Sequence, residues 1–188
     1  MPSNKLVIGV TGMAGSGKSL VVNVATKNGY AVVVMGDEVR EEAQRRNLLP
    51  TPENLGKIML ELRQAEGETV IAKRCVSKIE KAAEHKVIVD GLRSLAEAEE
   101  FKKHFPSFKV IAVHSSPETR FRRLFNRQRS DDPKDRQAFR ERDLRELGVG
   151  LGNVIAMADH LITNEGAITR SKDKARQILK KAETKWRT

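Results

Sequence analysis

The sequence predicts an α/β fold, a five-stranded parallel sheet with helices on both faces, in a single domain over residues 1–188. Short apolar runs alternate with longer amphipathic stretches, which is the pattern of β-α-β units. The length suits one compact domain, and no flexible linker or internal repeat divides it. Apolar residues make up 39% of the chain and charged residues 32%. This balance excludes a disordered or fibrous protein.

Each element follows from its local pattern. Short runs rich in valine and isoleucine are typical of buried parallel strands. Longer stretches with apolar residues three and four positions apart are typical of helices, and Asn28-Gly29 is a typical helix end. The predicted strands are 6–10, 31–35, 87–90, 110–114 and 160–163. The predicted helices are 18–27, 37–46, 53–65, 69–84, 94–104, 117–128, 133–147 and 169 to the end.

Two segments interrupt this alternation. Residues 37–84 place three predicted helices between the second and third strands, and residues 126–136 form a polar segment between two arginine-rich helices. Long excursions in a compact fold are usually lids or binding elements. We therefore expect both segments to lie beside a ligand site.

Cysteine and hydropathy patterns restrict the setting. The single cysteine, Cys75, excludes an internal disulfide and any metal site built from two or more thiolates. No run approaches the roughly 20 apolar residues that span a bilayer, and the first residues lead directly into a strand. We therefore predict a cytoplasmic protein without a membrane partner, and the sequence leaves the oligomeric state open.

The positive charge is concentrated at one end of the chain. Lysine and arginine number 35 against 25 acidic residues, a formal charge of +10, and residues 170–188 carry eight basic and two acidic residues. Binding of nucleic acid there is one interpretation. An apolar stripe in the same segment favours a docked helix with a solvated basic face instead. The stripe consists of Ala175, Ile178, Leu179, Ala182 and Trp186.

The most specific motif follows the first predicted strand. It fits G-x-x-x-x-G-K-[ST] and leads directly into a predicted helix, which is the context expected of a P-loop. Glycines let the backbone N–H groups turn inward and, with the positive end of the helix, cradle a phosphate. The motif consists of Gly12, Met13, Ala14, Gly15, Ser16, Gly17, Lys18 and Ser19.

Two side chains of this motif have expected chemical roles. Lys18 should reach the β- and γ-phosphate oxygens, and the Ser19 hydroxyl should ligate Mg²⁺. The N-K-x-D pattern that reads guanine is absent from the sequence, so ATP is favoured over GTP. The predicted cofactors are therefore ATP and Mg²⁺.

Two later motifs resemble those of the adenylate kinase branch of the P-loop nucleoside monophosphate kinases, and of adenylate kinase-related ATPases of archaeal type. Residues 36–40, Gly-Asp-Glu-Val-Arg, match the family's G-D-x-L-R, and residues 90–93, Asp-Gly-Leu-Arg, resemble its D-G-F-P-R with one residue fewer. The resemblance implies that Arg40 and Arg93 hold the acceptor and that Asp90 lies near Mg²⁺. It makes residues 37–84 an acceptor-binding helical insertion.

A further set of arginines resembles the family's lid. Arg123 and Arg127 match the pair that opens it, and Arg129-Ser130-Asp131-Asp132, followed by Arg140, matches the segment that closes it. The resemblance implies a short lid over residues 123–140, with Arg123 on the donor nucleotide and the later arginines on the transferred phosphoryl group. Such sites need several cations from separate segments. For Arg120 and Arg122 we expect ordinary solvated helix positions.

Three residues have open roles. Glu97 aligns with the family's adenine-reading glutamine and is either a reader of another acceptor base or a plain surface helix residue. The chain is also similar to dephospho-coenzyme A kinases: Asp37 would be the general base for a hydroxyl acceptor, and otherwise would order Arg40 or the helix start. Asn164 closes a segment that resembles the loop beside the donor adenine in those kinases.

These motifs predict an ATP-dependent kinase of the nucleoside monophosphate kinase type. Its acceptor would be a small phosphorylated, nucleotide-like molecule, a nucleoside monophosphate being one candidate. Phosphorylation of a hydroxyl, as in dephospho-coenzyme A kinases, is the first alternative. The second is an ATPase switch associated with nucleic acid through residues 170–187.

Overall fold

The predicted parallel sheet is present in the computed structural model, which describes residues 4–129 and 132–187. The strands are β1 (Leu6–Thr11), β2 (Ala31–Val34), β3 (Lys86–Asp90), β4 (Lys109–His114) and β5 (His160–Thr163). They lie in the order β2-β3-β1-β4-β5, and every neighbouring pair is parallel. All residues of the central β1 are buried, because a central parallel strand is covered on both faces.

Helices connect the strands and cover both faces of the sheet. Within the described ranges, four helix starts are capped by side chains that accept a hydrogen bond from a backbone N–H: Thr51, Ser94, Ser116 and Asp135. In the described chain the helices are α1 (Lys18–Lys27), α2 (Met35–Arg45), α3 (Pro52–Glu66), α4 (Val70–Lys81), α5 (Leu95–His104), α6 (Pro117–Arg127), α7 (Arg136–Gly148), α8 (Leu151–Ala156) and α9 (Ile168–Arg187).

Several element boundaries differ from the sequence prediction by one to three residues, and one helix is additional. Met35 begins α2 rather than ending β2. The α7 helix starts at Arg136, because the Asp135 side chain caps it by accepting the Ala138 N–H at 2.8 Å. The short α8 helix was not predicted, since its six residues are too few to show a helical period; Leu151 and Val154 fix it to the core.

Each face of the sheet carries its own core. On one side α4 and α5 pack on the strands, and Phe101 and Phe108 stack with ring centroids 5.2 Å apart. Cys75 is fully buried in this core, and burial raises the pKa of its thiol to about 12, so it is a core residue rather than a nucleophile.

On the other side α1 and α9 cover the sheet. The predicted apolar stripe of α9 is docked, with Ala175, Ile178 and Leu179 buried and Ala182 and Trp186 packed against the same cluster. The apolar face of the basic C-terminal segment is therefore used for folding. Among the described residues, no helix is both long enough and apolar enough to cross a membrane.

Replacing Phe101 tests how much the core on the α5 side of the sheet contributes to stability. Replacing it with alanine, Phe101→Ala, should lower the free energy of unfolding by about 3–5 kcal/mol, because a fully buried aromatic ring is lost from a packed site. Phe125→Ala is the control, since that ring is 48% exposed, and it should cost under about 1 kcal/mol. Urea unfolding of both variants checks this; equal losses would contradict it.

Candidate phosphate-binding site

The turn between β1 and α1 has the backbone of a phosphate-binding loop. Gly12, Gly15 and Gly17 have φ angles of 143°, 79° and 96°, which favour glycine. A Cβ at Gly12 would lie 2.3 Å from the Val113 carbonyl oxygen, and one at Gly17 would lie 2.2 Å from Asn164 Nδ2. Both the conformation and the close neighbours therefore require glycine.

Lys18 is the first residue of α1 and folds over this turn. Its Nζ donates to the carbonyl oxygens of Gly12 at 2.6 Å and Met13 at 3.3 Å. Burial lowers the pKa of Lys18, while the Glu146 and Asp90 carboxylates act to raise it. The ammonium group is thus held on the loop by two backbone carbonyls, within the electrostatic influence of two acidic side chains.

Asp90 ends β3, next to the end of β1, where Val10 is its register partner. Its Oδ1 atom is buried and has no hydrogen-bond partner among the described residues. Burial raises the pKa of Asp90, and the charges of Lys18 and Arg93 oppose that rise. A buried carboxylate oxygen without a partner fits Mg²⁺, which prefers oxygen ligands, and the Ser19 hydroxyl is the second candidate ligand.

The predicted acceptor residues approach the same end of the sheet. Arg93 is exposed just after β3 and acts electrostatically on both Lys18 and Asp90. Asp37, in the first turn of α2, also acts on Asp90, and Arg40 forms an ion pair with Asp37. One carboxylate and two guanidinium groups therefore lie on the side of the loop opposite α6.

The structure corrects both interpretations of Glu97. Its side chain is 1% exposed, so it is not a surface residue. One carboxylate oxygen accepts the N–H groups of Arg93 and Ser94, at 2.8 and 3.2 Å, as part of a capping box, and the other accepts from Arg63 at 2.7 Å. Because both oxygens are engaged, Glu97 is not placed to read an acceptor base; it fixes the backbone that carries Arg93.

Arg123, on α6, and Asn164, which follows β5, both hold the loop by hydrogen bonds to the Ser16 carbonyl. Arg123 Nη1 donates to the Ser16 carbonyl at 3.3 Å and to Ser115 Oγ at 2.9 Å, and its Nη2 donates to the Asn164 carbonyl at 2.7 Å. The Asn164 side chain donates to the same Ser16 carbonyl at 2.9 Å and accepts from Ser171. Both side chains bind the outer surface of the loop.

A cleft of about 510 Å³ begins at this point and runs between α1 and α9. Gly17, Leu20, Arg123, Asn164 and Ile168 line it. It combines the start of the helix that follows the P-loop with apolar and polar walls, which are the usual features of a small-ligand pocket. The cleft therefore adjoins the phosphate-binding loop through Gly17 and Ser19.

The predicted lid arginines are not all directed at the loop. Arg127 forms a two-point ion pair with Asp132, at 2.5 and 2.9 Å, and the bond from Arg127 lowers the pKa of that carboxyl. The Arg129 N–H donates to Asp132 at 2.9 Å. The side chains of Arg129 and Arg140 are exposed. Ser130 and Asp131 lie outside the described residues.

Arg120 is the clearest error of the sequence prediction. It is 4% exposed rather than solvated, pairs with Asp143 of α7 through two bonds of 2.8 and 2.5 Å, and donates to the Ala14 carbonyl at 3.1 Å. A signal was present, because Arg120, Arg123 and Arg127 are three and seven positions apart and so share one face of α6. Arg122 is exposed.

Glu146 and Arg142 of α7 lie near the loop and were not predicted as site residues. Glu146, on α7, accepts the Ala14 N–H at 3.3 Å and lies 3.6 Å from Arg142, its neighbour one turn earlier. Phe139, Arg142 and Glu146 follow the helical spacing, which could have shown that this face of α7 is directed inward.

The strand order and the loop at the carboxyl end of the central strand define the chain as a P-loop protein with the kinase fold. A family model described as an AAA domain matches residues 11–140. A "UPF0200 protein" of Methanothermobacter thermautotrophicus is 46% identical over 178 residues, which cover 95% of this chain and 91% of that protein. The chain belongs to the UPF0200 family, and the predicted P-loop kinase fold is confirmed.

Solved structures show the same fold. A shikimate kinase from Acinetobacter baumannii, in complex with shikimate, has a TM-score of 0.59 at 14% identity and covers 96% of this chain and 94% of its own. A gluconokinase from Sinorhizobium meliloti has a TM-score of 0.57 at 14% identity, with coverage of 99% and 98%. At this identity the likeness establishes the fold alone.

The Arg120–Asp143 pair should be essential for stability around the loop. Arg120→Ala removes one partner of a buried pair and leaves Asp143 uncompensated, so the free energy of unfolding should fall by about 3–5 kcal/mol. Arg122→Ala, at an exposed position of the same helix, should change it by less than about 0.5 kcal/mol. Chemical denaturation measures both, and a loss below about 1 kcal/mol for Arg120→Ala would show that the pair does not secure α7.

Proposed function

We propose that this protein is an ATP-dependent phosphotransferase that moves the γ-phosphoryl group to a small, phosphorylated, nucleotide-like acceptor. The observation that carries the proposal is that Lys18 folds over a glycine-dependent phosphate loop, with its Nζ 2.6 Å from the Gly12 carbonyl oxygen, beside the end of β3 where Asp90 and Arg93 lie. Phosphoryl transfer requires positioning and cationic stabilisation rather than covalent chemistry, and this grouping supplies both. A cytoplasmic location stays a prediction from the sequence.

The donor side supports ATP as the phosphoryl source. The backbone of residues 12–19 would cradle the phosphates, and the cleft lined by Leu20 and Ile168 would take the base. Asp90 and Ser19 would hold Mg²⁺, which neutralises phosphate charge when bound. Lys18 would exchange the Gly12 and Met13 carbonyls for phosphate oxygens.

The acceptor side supports a phosphorylated substrate. Arg93 is held at the end of β3 by the capping box of Glu97, and Arg40 approaches on α2 beside Asp37. A guanidinium group binds a phosphate through two parallel hydrogen bonds and stays charged. Since Glu97 is fully engaged, no base-reading side chain is assigned, and the phosphate is the group of the acceptor that these residues recognise.

A transfer assay tests this proposal: the protein is incubated with labelled ATP, Mg²⁺ and each nucleoside monophosphate, and the label transferred to the acceptor is measured. Arg40→Ala and Arg93→Ala should each raise the acceptor KM about tenfold or more, while the KM for ATP changes little, because each variant removes one charged contact to the acceptor. Arg45→Ala is the control, since that arginine is exposed on the same helix as Arg40, and it should leave both constants unchanged. No transfer to any of these acceptors, with ATP binding intact, would overturn the proposal.

A hydroxyl acceptor is the second candidate, and the position of Asp37 favours it. Asp37 lies in the first turn of α2, directly after β2, whose Val34 is the register partner of Asp90, and a carboxylate at this end of the sheet could receive a hydroxyl proton as a general base. Solved kinases for shikimate and gluconate share the fold, which is compatible with this alternative.

Asp37→Asn separates the two candidates. With a hydroxyl acceptor such as dephospho-coenzyme A, kcat should fall by about 100- to 10,000-fold, since the base is lost; with a phosphate acceptor, kcat should be nearly unchanged. Glu41→Gln, which neutralises an exposed carboxylate of the same helix, is the matched control. A normal kcat for Asp37→Asn with a hydroxyl acceptor would remove the base role.

A further inference from the structure

The carboxylate of Glu146 lies where a phosphate is expected. Its Oε2 accepts the N–H of Ala14, one of the amides of the phosphate-binding loop, at 3.3 Å. Its side chain is 13% exposed, and its charge is the strongest carboxylate influence on Lys18. A loop amide therefore donates to an anion that belongs to the protein itself, and the same charge acts on the loop lysine.

The placement of Glu146 is enforced by its helix. One turn earlier on α7, Asp143 is held by Arg120 at 2.5 and 2.8 Å, and the same guanidinium donates to the Ala14 carbonyl at 3.1 Å. Phe139 is buried against Ala14 and Leu124. These contacts join α7 to the loop residue whose N–H Glu146 accepts, so the carboxylate is presented from a fixed backbone and only its side chain has to move.

Arg142 lies beside the Glu146 carboxylate at the loop. It lies 3.6 Å from Glu146, is 23% exposed, and its charge reaches Lys18 and Asp132. By contrast, Arg140 is exposed. Of the two arginines, Arg142 is therefore the one whose surroundings connect it with the loop.

We propose that Glu146 is an internal competitor of the nucleotide: it occupies part of the phosphate-binding loop, and a bound phosphate displaces it and takes over both the Ala14 N–H and Arg142. Arg142 then becomes a phosphate-binding residue from α7. The inference rests on the proposed function only in requiring that the loop bind a nucleotide phosphate. It is independent of the acceptor and of the transfer step.

The competition follows from simple physical chemistry. A carboxylate and a phosphate oxygen are both anionic acceptors, and one N–H cannot donate fully to both. The apparent affinity for nucleotide is reduced by the fraction of molecules in which Glu146 occupies the loop. Neutralising Glu146 should therefore strengthen phosphate binding, whereas removal of a residue that contacts the nucleotide weakens it.

Calorimetric titration with ATP, without acceptor, tests whether Glu146 competes with the nucleotide. Glu146→Gln keeps the size of the side chain but removes its charge, and should tighten ATP binding by roughly tenfold, the order expected for one charge-assisted hydrogen bond. Glu141→Gln, which neutralises an exposed carboxylate on the same helix, should change it less than about twofold. Unchanged or weaker binding by Glu146→Gln, with unfolding like that of the wild type, would overturn the proposal.

Calorimetric titration with inorganic tripolyphosphate tests whether Arg142 binds phosphate, because this ligand presents phosphates without base or sugar. Arg142→Ala should weaken its binding by roughly tenfold, while Arg145→Ala, exposed on the same helix, should not. Equal affinities for the two variants would remove Arg142 from the phosphate site. If the kinase assays fail while these shifts appear, the competition stands and the proposed reaction falls; if no variant binds ATP or tripolyphosphate, both fall.

Discussion

Everything in this site depends on the backbone turn between β1 and α1. Gly12 and Gly17 have φ angles of 143° and 96°, and this conformation sorts the polar groups of the turn into two sets. Carbonyl oxygens are met from outside by side-chain donors: Ala14 by Arg120, and Ser16 by Asn164 and Arg123. The Gly12 and Met13 carbonyls accept from Lys18, and the Ser16 N–H donates to the Met13 carbonyl. With its carbonyls engaged in this way, the turn can present its other N–H groups to an anion, which is the electrostatic requirement of a phosphate site.

Glu146 is the exception to this arrangement, because it meets an N–H group rather than a carbonyl. Its carboxylate and that of Asp90 both act on Lys18, so the buried ammonium group is balanced by protein charges. A phosphate would add negative charge to the same place. One carboxylate therefore has to give way. Glu146 is the one that accepts a loop N–H, whereas Asp90 has a buried oxygen without a hydrogen-bond partner among the described residues and suits a metal.

The sequence predicted the fold and the loop well, because both depend on local patterns. Alternating apolar runs specify the strands, and the glycine motif specifies the turn without any knowledge of its neighbours. The errors concern contacts between distant segments. Arg120 was predicted to be solvated because its partner, Asp143, is 23 residues away. Glu97 was interpreted as either a base reader or a surface residue, and its contact with Arg63 of another helix was missed. Only the packed structure shows these pairings.

A crystal structure with Mg²⁺ and a non-hydrolysable ATP analogue tests the central claim most directly. We expect the β-phosphate on the N–H groups of residues 12–19, Lys18 turned from the Gly12 carbonyl to phosphate oxygens, and the Glu146 carboxylate displaced from the Ala14 N–H. An analogue bound elsewhere, or one bound in the loop with the Glu146 to Ala14 hydrogen bond intact, would contradict it.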